Sequence, residues 1–593
     1  MLPLPRPVVV IVLAALLVTA IMLPFFVGSY GIKFATRVLV LAILVVSLDF
    51  LIGITGLVSF GHAMFFGFGA YAIYFVSPVD AAANAFIAFP LAIVAAGALA
   101  AVIGAVAVLT RGFYFIMVTL AFGEMMFSLF HDTRFAGGSD GAYINVKPEF
   151  ALGALRLIDL EHRPSFYYVC LGLLVAVYLG LLALARGPFG RVLQGVRWNE
   201  ARTGALGFNT YAYKLASFSV AGAIGGLAGA LFATIDGYVT PDLFGWRQSG
   251  LAIMMVVLGG VGTLFGPILG ALLYAGVEEL LKTGSLVGRI ADHWSLGLGV
   301  FLIAAVLAAP RGIGGLFGAR GRAGREAPAL PQRMAQVRTG TSGKAVAVEG
   351  LTRRFGGLVA VDDVTLDLPS NRVHGIIGPN GAGKTTFINM LSGTLRPTAG
   401  RIILDGENVA GQPAYALARR GIGRSYQITN VFLPFTVWEN CLLATQARRP
   451  GPFQLRARDQ AAQHAAIAHA LTAAGLEGRA DVVAAQLSHG EQRQLEIAML
   501  IASGARLLIL DEPLAGMGPE ETTRVTRLLR ALAADHTVIL IEHDIDAIFA
   551  AADTLTVLVG GRLLAHGLPD EVRRDPAVRE AYLGNYGQTG AAA

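Results

Sequence analysis

Lys384 and Thr385 close the run "HGIIGPNGAGKTTFINML" (374–391), in which Gly378, Gly381 and Gly383 stand at the spacing of a full phosphate-binding loop. An apolar stretch precedes the glycines and an amphipathic one follows, so the expected context is strand, loop, helix. Glycines let backbone N–H groups face phosphate oxygens at a helix N-terminus. Lys384 would reach the outer phosphates, and the Thr385 hydroxyl would hold magnesium.

A second apolar strand, "ARLLILDEP" (505–513), ends in two carboxylates. Asp511 has the place of the second magnesium-site acid of loop-type nucleotidases. Glu512 follows it and is placed to orient or deprotonate an attacking water. A third strand, "TVILIEHD" (537–544), ends at His543, a candidate contact to a terminal phosphate. Three strand ends in this order point to nucleoside triphosphate hydrolysis.

In "LSHGEQ" (487–492), Ser488 and Glu491 have the spacing of a capping box. The apolar run after them reads as a buried helix. The helix start leaves free N–H groups and the positive end of a dipole. Two readings stay open: a helix cap and nothing more, or a second anion cradle.

These elements occupy only part of the chain. It has 593 residues, of which 55% are hydrophobic, and a mean hydropathy of +0.61. About 30 of the 86 charged residues fall in 1–309. An apolar first half therefore precedes a water-compatible second half. The two cysteines, Cys170 and Cys441, exclude a disulfide framework and suit a reducing compartment. The basic excess is read as cytoplasmic loops beside a lipid bilayer, with no nucleic acid.

Candidate spans lie near 8–27, 35–53, 61–78, 84–109, 112–130, 165–186, 212–234 and 295–310, with a glycine-broken stretch at 248–280. The basic loop 186–214 and the basic segment 311–344 both belong on the cytoplasmic side. An even number of crossings must separate them, so 248–280 must turn back, and "LGGVGTLFGP" (258–267) is the natural place. Such a break either lines a transport path or lets helices pack closely. In "GITGLVSFGHAMFFGFGAY" (53–71), Ser59 and His62 are polar groups at a membrane boundary. They are candidates for a substrate path, though a histidine satisfied by a carbonyl is the simpler reading. Asp140 in "FAGGSDGA" (135–142) falls in an extracytoplasmic loop, as a path residue or a turn residue. The expected layout is a membrane domain over 1–310, a basic linker over 311–345 and a nucleotide-binding domain over 346–593.

Together these motifs resemble the ATP-binding cassette (ABC) family over about 346–584. The resemblance implies a polytopic α-helical membrane domain followed by a cytoplasmic α/β P-loop ATPase with a helical subdomain. In "GPNGAGKTT", Asn380 and Thr386 join the ATP-binding set. Gln427 in "GRSYQITNVF" is the implied glutamine-loop residue and a magnesium ligand with Thr385 and Asp511. Phe355 takes the place of the aromatic that stacks on adenine. The signature turn, Ser488, His489, Gly490 and Glu491, would face the ATP of a partner cassette. His489 replaces the first glycine of the commonest signature. Gly518 stands where many cassettes carry an aspartate, which bears on how the two ATP sites are coupled.

The first half is similar to permeases of branched-chain, or hydrophobic, amino acid importers. The residues are "GLVSFGHAMFFGFGAY", "RGFYFIMVTLAFGE", "GGSDG", "GALGFNTYAYKLASF" and "GGVGTLFGPILGA". The second half is similar to the ATPases of the same systems. The resemblance implies a bacterial-type inner membrane and import with ATP and Mg2+. It implies a second permease and ATPase subunit, or a second copy of this chain, and an extracytoplasmic solute-binding protein. Segment 187–212, with Glu200 and Gly204, resembles the coupling segment that docks on the ATPase near Gln427. Urea, short amides and aromatic acids are alternative substrates, and export or regulation an alternative role.

Overall fold

The structure is a computed structural model and describes residues 7–152, 155–283, 293–317, 344–427, 429–448, 460–515 and 517–583. Contacts divide the chain into two compact units. One holds 1–197 and 211–322; the other holds the chain from 323 onward, except 453–456, together with residues 198–210. Residues 318–343 of the expected linker lie outside the described residues. Its ends are a short helix at Gly312–Phe317 and a strand beginning at Lys344.

The first unit is helical: α1 (Pro7–Phe26), α2 (Ser29–Asp49), α3 (Ala63–Val76), α4 (Ala85–Ala107), α5 (Phe113–Asp132), α6 (Arg163–Arg186) and α7 (Pro188–Trp198). After α8 (Glu200–Ala205) come α9 (Thr210–Asp236), α10 (Trp246–Gly259), α11 (Gly266–Lys282), α12 (Trp294–Ala308) and α13 (Gly312–Phe317). Among the described residues, six helices are long and apolar enough to cross a membrane. α2, continued by a π-helical turn over Phe50–Thr55, is buried along most of its length. From Val38 through Leu48 it is apolar but for Ser47 and buried but for Leu39, as a helix packed on every side must be. Small residues set the helix spacing at α3 and α9: a Cβ on Gly69 would lie 2.0 Å from the Gly226 carbonyl oxygen. One on Gly229 would lie 1.7 Å from the carbonyl oxygen of Phe66. At these positions the glycines serve close packing.

The stretch 248–280 does turn back, as two helices, α10 and α11, that pack on each other. The turn between them leaves backbone N–H groups without helical partners. The Asp49 carboxylate, fully buried, accepts from the N–H of Gly262 at 2.6 Å and of Leu264 at 2.9 Å. Arg197 donates to the carbonyl of Gly53 one turn further on. The loops after α5 and α9 meet through antiparallel pairing of Ala142–Tyr143 with Tyr238–Val239, so they lie at one end of the helical unit.

The second unit has a six-stranded, mostly parallel sheet and a four-stranded antiparallel sheet. Its strands are β1 (Lys344–Phe355), β2 (Leu358–Pro369), β3 (Val373–Ile377), β4 (Ala399–Leu404), β5 (Glu407–Asn408), β6 (Ile422–Arg424), β7 (Leu507–Asp511), β8 (Thr537–Ile541), β9 (Thr554–Val559) and β10 (Arg562–Gly567). The main sheet runs β6-β7-β8-β3-β9-β10, and the smaller one β2-β1-β4-β5. Every residue of β3, β7 and β8 is buried, the pattern of a parallel sheet covered on both faces. The helices are α14 (Lys384–Leu391), α15 (Ala414–Arg419), α16 (Val437–Gln446), α17 (Gln460–Ala473), α18 (His489–Ser503) and α19 (Pro519–Leu532). α16, α17 and α18 pack together as a helical layer.

Candidate active site

Sheet register assembles the site. β7, β8 and β3 are adjacent, Asp511 pairs with Ile541, and Ile541 pairs with Ile376. The residues that follow these partners therefore leave the sheet at one edge: Glu512 after β7, Glu542 and His543 after β8, Gly378 after β3. Ligands of open α/β sheets bind at this carboxyl edge.

The phosphate loop has the backbone its glycines allow, with φ of +153° at Gly378, +81° at Gly381 and +93° at Gly383. At Gly378 a Cβ would meet the Leu558 carbonyl oxygen at 2.1 Å, so that position also requires close approach. Gly383 caps α14, which starts at Lys384. The Lys384 ammonium donates to the carbonyls of Gly378 at 2.6 Å and Pro379 at 3.1 Å. Burial lowers its pKa, opposed by the charges of Glu512 and Asp511. Asn380 and Thr385 are exposed at the loop and the helix start, and Thr386 is half-buried.

Glu512 has φ +49°, a left-handed conformation that costs a non-glycine residue on the order of 1 kcal/mol. Such strain concentrates at functional sites. Its carboxylate is held from both sides. The Gln427 amide donates to Oε2 at 2.8 Å, and His543 Nε2 lies 2.8 Å from Oε1. Asp511 is buried beside Arg424, whose Nη2 is 3.6 Å from Oδ2. Burial raises the Asp511 pKa, and Arg424 opposes the rise. Glu542 is pushed up to about 7, chiefly by burial, although it accepts the Leu514 N–H at 2.6 Å. Phe355 is partly exposed, with the Arg353 guanidinium over its ring at 4.5 Å.

The signature turn is a complete capping box. Glu491 N–H donates to Ser488 Oγ at 3.3 Å, and Ser488 N–H donates to Glu491 Oε2 at 2.9 Å. The Ser488 N–H lowers the Glu491 pKa, aided by Arg479, which donates to Oε1 at 2.9 Å. His489 is exposed and Gly490 buried. Gly518 caps α19 through its carbonyl alone, accepting from Thr522 N–H.

Segment 198–210 packs within this same unit. Asn199 caps α8 by accepting from Arg202 N–H at 2.9 Å. Asn199 also bonds Asn430, and Arg419 Nε donates to the Gly207 carbonyl at 2.8 Å. Glu200 accepts from Thr210 Oγ1 at 3.1 Å, a bond internal to the segment, and Gly204 faces open space except for the Thr210 methyl. Contacts from this segment to the rest of the cassette include those of Asn199, Arg202 and Gly207. Sequence reasoning singled out none of these for that task, and had counted Arg202 only as a loop cation.

In the helical unit, His62 and Ser59 are fully buried. His62 Nε2 lies 2.9 Å from Ser47 Oγ, while its Nδ1 and the Ser59 hydroxyl have no partner among the described residues. Asp140 is exposed, ends a short 3-10 turn and gives its carbonyl to Tyr238 Oη. No contact among the described residues joins it to Ser59 or His62. Asp49, which carries the 260–265 turn, went unnoticed in the sequence because it is one carboxylate inside an apolar run.

A phosphate loop on β3, an acid pair after β7, a histidine after β8 and a capped signature helix define an ATP-binding cassette ATPase. Comparison with known families agrees along both units. Residues 31–308 match the branched-chain amino acid transport system permease component. Residues 361–515 match the ABC transporter family, and 562–586 match the branched-chain amino acid ATP-binding cassette transporter family. The BraF branched-chain amino acid transport ATP-binding protein of Pseudomonas aeruginosa is 41% identical over 40% of this chain and 96% of its own length. LivG of Escherichia coli K12, of the same description, is 40% identical over 97% of its length. LptB of the Escherichia coli K12 lipopolysaccharide export system is 32% identical over 97% of its length. A solved ATP-binding cassette in its ADP conformation is 26% identical, with a TM-score of 0.37, over 41% of this chain and 100% of that one. The chain belongs to the branched-chain amino acid ABC transporter family, with permease and nucleotide-binding ATPase joined in one polypeptide.

Proposed function

We propose that this chain drives ATP-dependent uptake of branched-chain amino acids or closely related small solutes across a bacterial-type inner membrane. The observation that carries the reading is the fusion: a permease and a cassette of one transport system share a single polypeptide. The partners are a second permease and a second ATPase subunit, or a second copy, with an extracytoplasmic binding protein delivering the solute. The cassette is cytoplasmic.

The geometry supports a division of labour among the residues. The Gly378–Thr386 loop and Lys384 bind the phosphates, and Phe355 stacks on the base. Glu512, clamped between Gln427 and His543, orients the attacking water and takes its proton. His543 also reaches the γ-phosphate. Thr385, Gln427 and Asp511 offer hydroxyl, amide and carboxylate oxygens, a hard-oxygen set that fits Mg2+. When bound, the ion neutralises charge building on the phosphates. Ser488 through Glu491 face the ATP of the partner cassette, because one phosphate loop and one signature turn leave each half-site incomplete.

Purifying the assembly with its co-purifying subunits tests this reading. The expected binding protein holds leucine, isoleucine or valine. A binding protein holding urea or an aromatic acid would replace the solute, and an assembly that exports would overturn uptake.

A further inference from the structure

Arg202 is one of five cations in the basic loop 186–214, which charge counting places on the cytoplasmic side. Its side chain is fully buried. Nη1 donates to the Arg424 carbonyl at 2.8 Å, and Nη2 to the Glu496 carbonyl at 3.3 Å. Nη1 also lies 3.6 Å from the fully buried Glu496 carboxylate. Glu496 sits on α18, two turns beyond the signature cap. Its Oε1 accepts the Tyr426 N–H at 3.2 Å, and its Oε2 takes Arg493 Nη1 at 2.6 Å.

Arg493 completes the link. It donates to the carbonyls of Tyr426 at 2.6 Å, Gln427 at 3.2 Å, Asp511 at 3.3 Å and Glu512 at 2.7 Å. One guanidinium therefore ties the Gln427 loop to the backbone that carries the acid pair. Two guanidiniums share one carboxylate, and main-chain carbonyls offset the remaining charge. Such an arrangement suits Arg: its planar fork sends Nη1 and Nη2 to separate carbonyls with Nη1 beside the carboxylate, whereas the three donors of an ammonium all leave one nitrogen. Among the described residues Arg202 Nε has no hydrogen-bond partner.

We propose that Arg202 is a positioning residue of transport coupling. Through Glu496 and Arg493 it makes the placement of Glu512 and Gln427 depend on where segment 198–210 sits. This rests on the uptake reading above. Because permease and cassette share one chain, a weakened segment cannot release this cassette from its own permease, so coupling is measurable apart from that dissociation.

The test uses the full transporter in vesicles with its binding protein and leucine, comparing wild type, Arg202→Met and Arg202→Lys. For Arg202→Met, ATP binding is expected to stay within about twofold of wild type, and basal hydrolysis to fall less than the stimulated rate. Stimulation by leucine-loaded binding protein, and leucine moved per ATP, are each expected to fall about fivefold or more. Arg202→Lys should recover only part of the loss. Normal stimulation and stoichiometry in Arg202→Met would overturn the proposal. So would an equal loss of binding, basal hydrolysis and stimulation in both variants, since that marks a purely structural residue. If wild type itself moves no leucine, the uptake reading fails. The coupling proposal is then decided by stimulation of hydrolysis with the binding protein's own ligand.

Discussion

In the cassette unit, Arg202, Arg424, Arg493, Glu496 and Asp511 are each less than a tenth exposed, and they partner one another or main-chain carbonyls. In the helical unit the deeply buried Ser59, His62 and Tyr71 bring hydroxyls and an imidazole in place of ion pairs; among the described residues both units keep unpartnered atoms, Ser59 Oγ, His62 Nδ1 and Tyr71 Oη here, Arg202 Nε and Arg424 Nε there. The difference is one of task. A hydrolytic site needs its groups fixed before the reaction, and buried charges are tolerable only when paired and hydrogen-bonded. A helical core in a membrane needs close packing first, and the hydroxyls and imidazole on α3 and the chain before it cost less to bury than charges do. Asp49 is the exception in the helical unit, a fully paired carboxylate, and it holds backbone in place.

The largest effect expected in the cassette comes from Glu512→Gln. Hydrolysis should fall by roughly 10²–10⁴, the span of a general base, while nucleotide binding, followed by a fluorescent analogue, persists. Retained turnover would move the proton-accepting role away from Glu512. On the helical side the matching change is Asp49→Leu. It strands the N–H groups of Gly262 and Leu264, at about 1–3 kcal/mol for each buried donor left unsatisfied. Unfolding in detergent and protease sensitivity near the 260–265 turn report it. An unchanged melting profile would mean that the turn holds without the carboxylate.

Glu542 sharpens the contrast through pH. Burial raises its folded pKa to about 7 from 4.5, so the folded cassette holds a proton that the unfolded chain releases. Stability contributed by this group is full below pH 4.5 and is lost as pH rises toward 7. Glu542→Gln should therefore melt like wild type at pH 5 and be more stable at pH 8, by at most on the order of 3 kcal/mol. Equal shifts at both pH values would contradict a neutral Glu542. The smallest structural change is Ser488→Gly, which costs a helix cap only a few tenths of a kcal/mol. If the hydroxyl also contacts the partner's ATP, hydrolysis should drop about tenfold, as for a hydrogen bond to a charged group. No drop would leave Ser488 as a cap alone.

Much of this was legible in the sequence where the cause is local. The strand–loop–helix around Lys384 and the Ser488–Glu491 box follow from spacing within a few residues, the turn near 258–267 follows from the parity of crossings between two basic segments, and each has the expected form. The adjacency of β7, β8 and β3 could be anticipated only as strand ends carrying suitable groups. Arg202 could not be read this way, because its partners lie 222 and 294 positions along the chain. The same holds for Asp49, 213 positions from Gly262. A lone arginine in a basic loop and a lone aspartate in an apolar helix have no periodicity to betray them. Asp140, a path or turn candidate in the sequence, is exposed at the end of a short turn, and its backbone carbonyl adds one bond to the inter-loop pairing.

The central claim, that ATP spent at this cassette moves solute through this permease, is tested most directly in sealed vesicles. The assembled transporter would face binding protein and leucine on one side and ATP on the other, with wild type and Glu512→Gln compared. The account predicts leucine accumulation that requires ATP on the cassette side and vanishes in Glu512→Gln. ATP hydrolysis by the wild type without ATP-dependent movement of leucine, isoleucine or valine would contradict it.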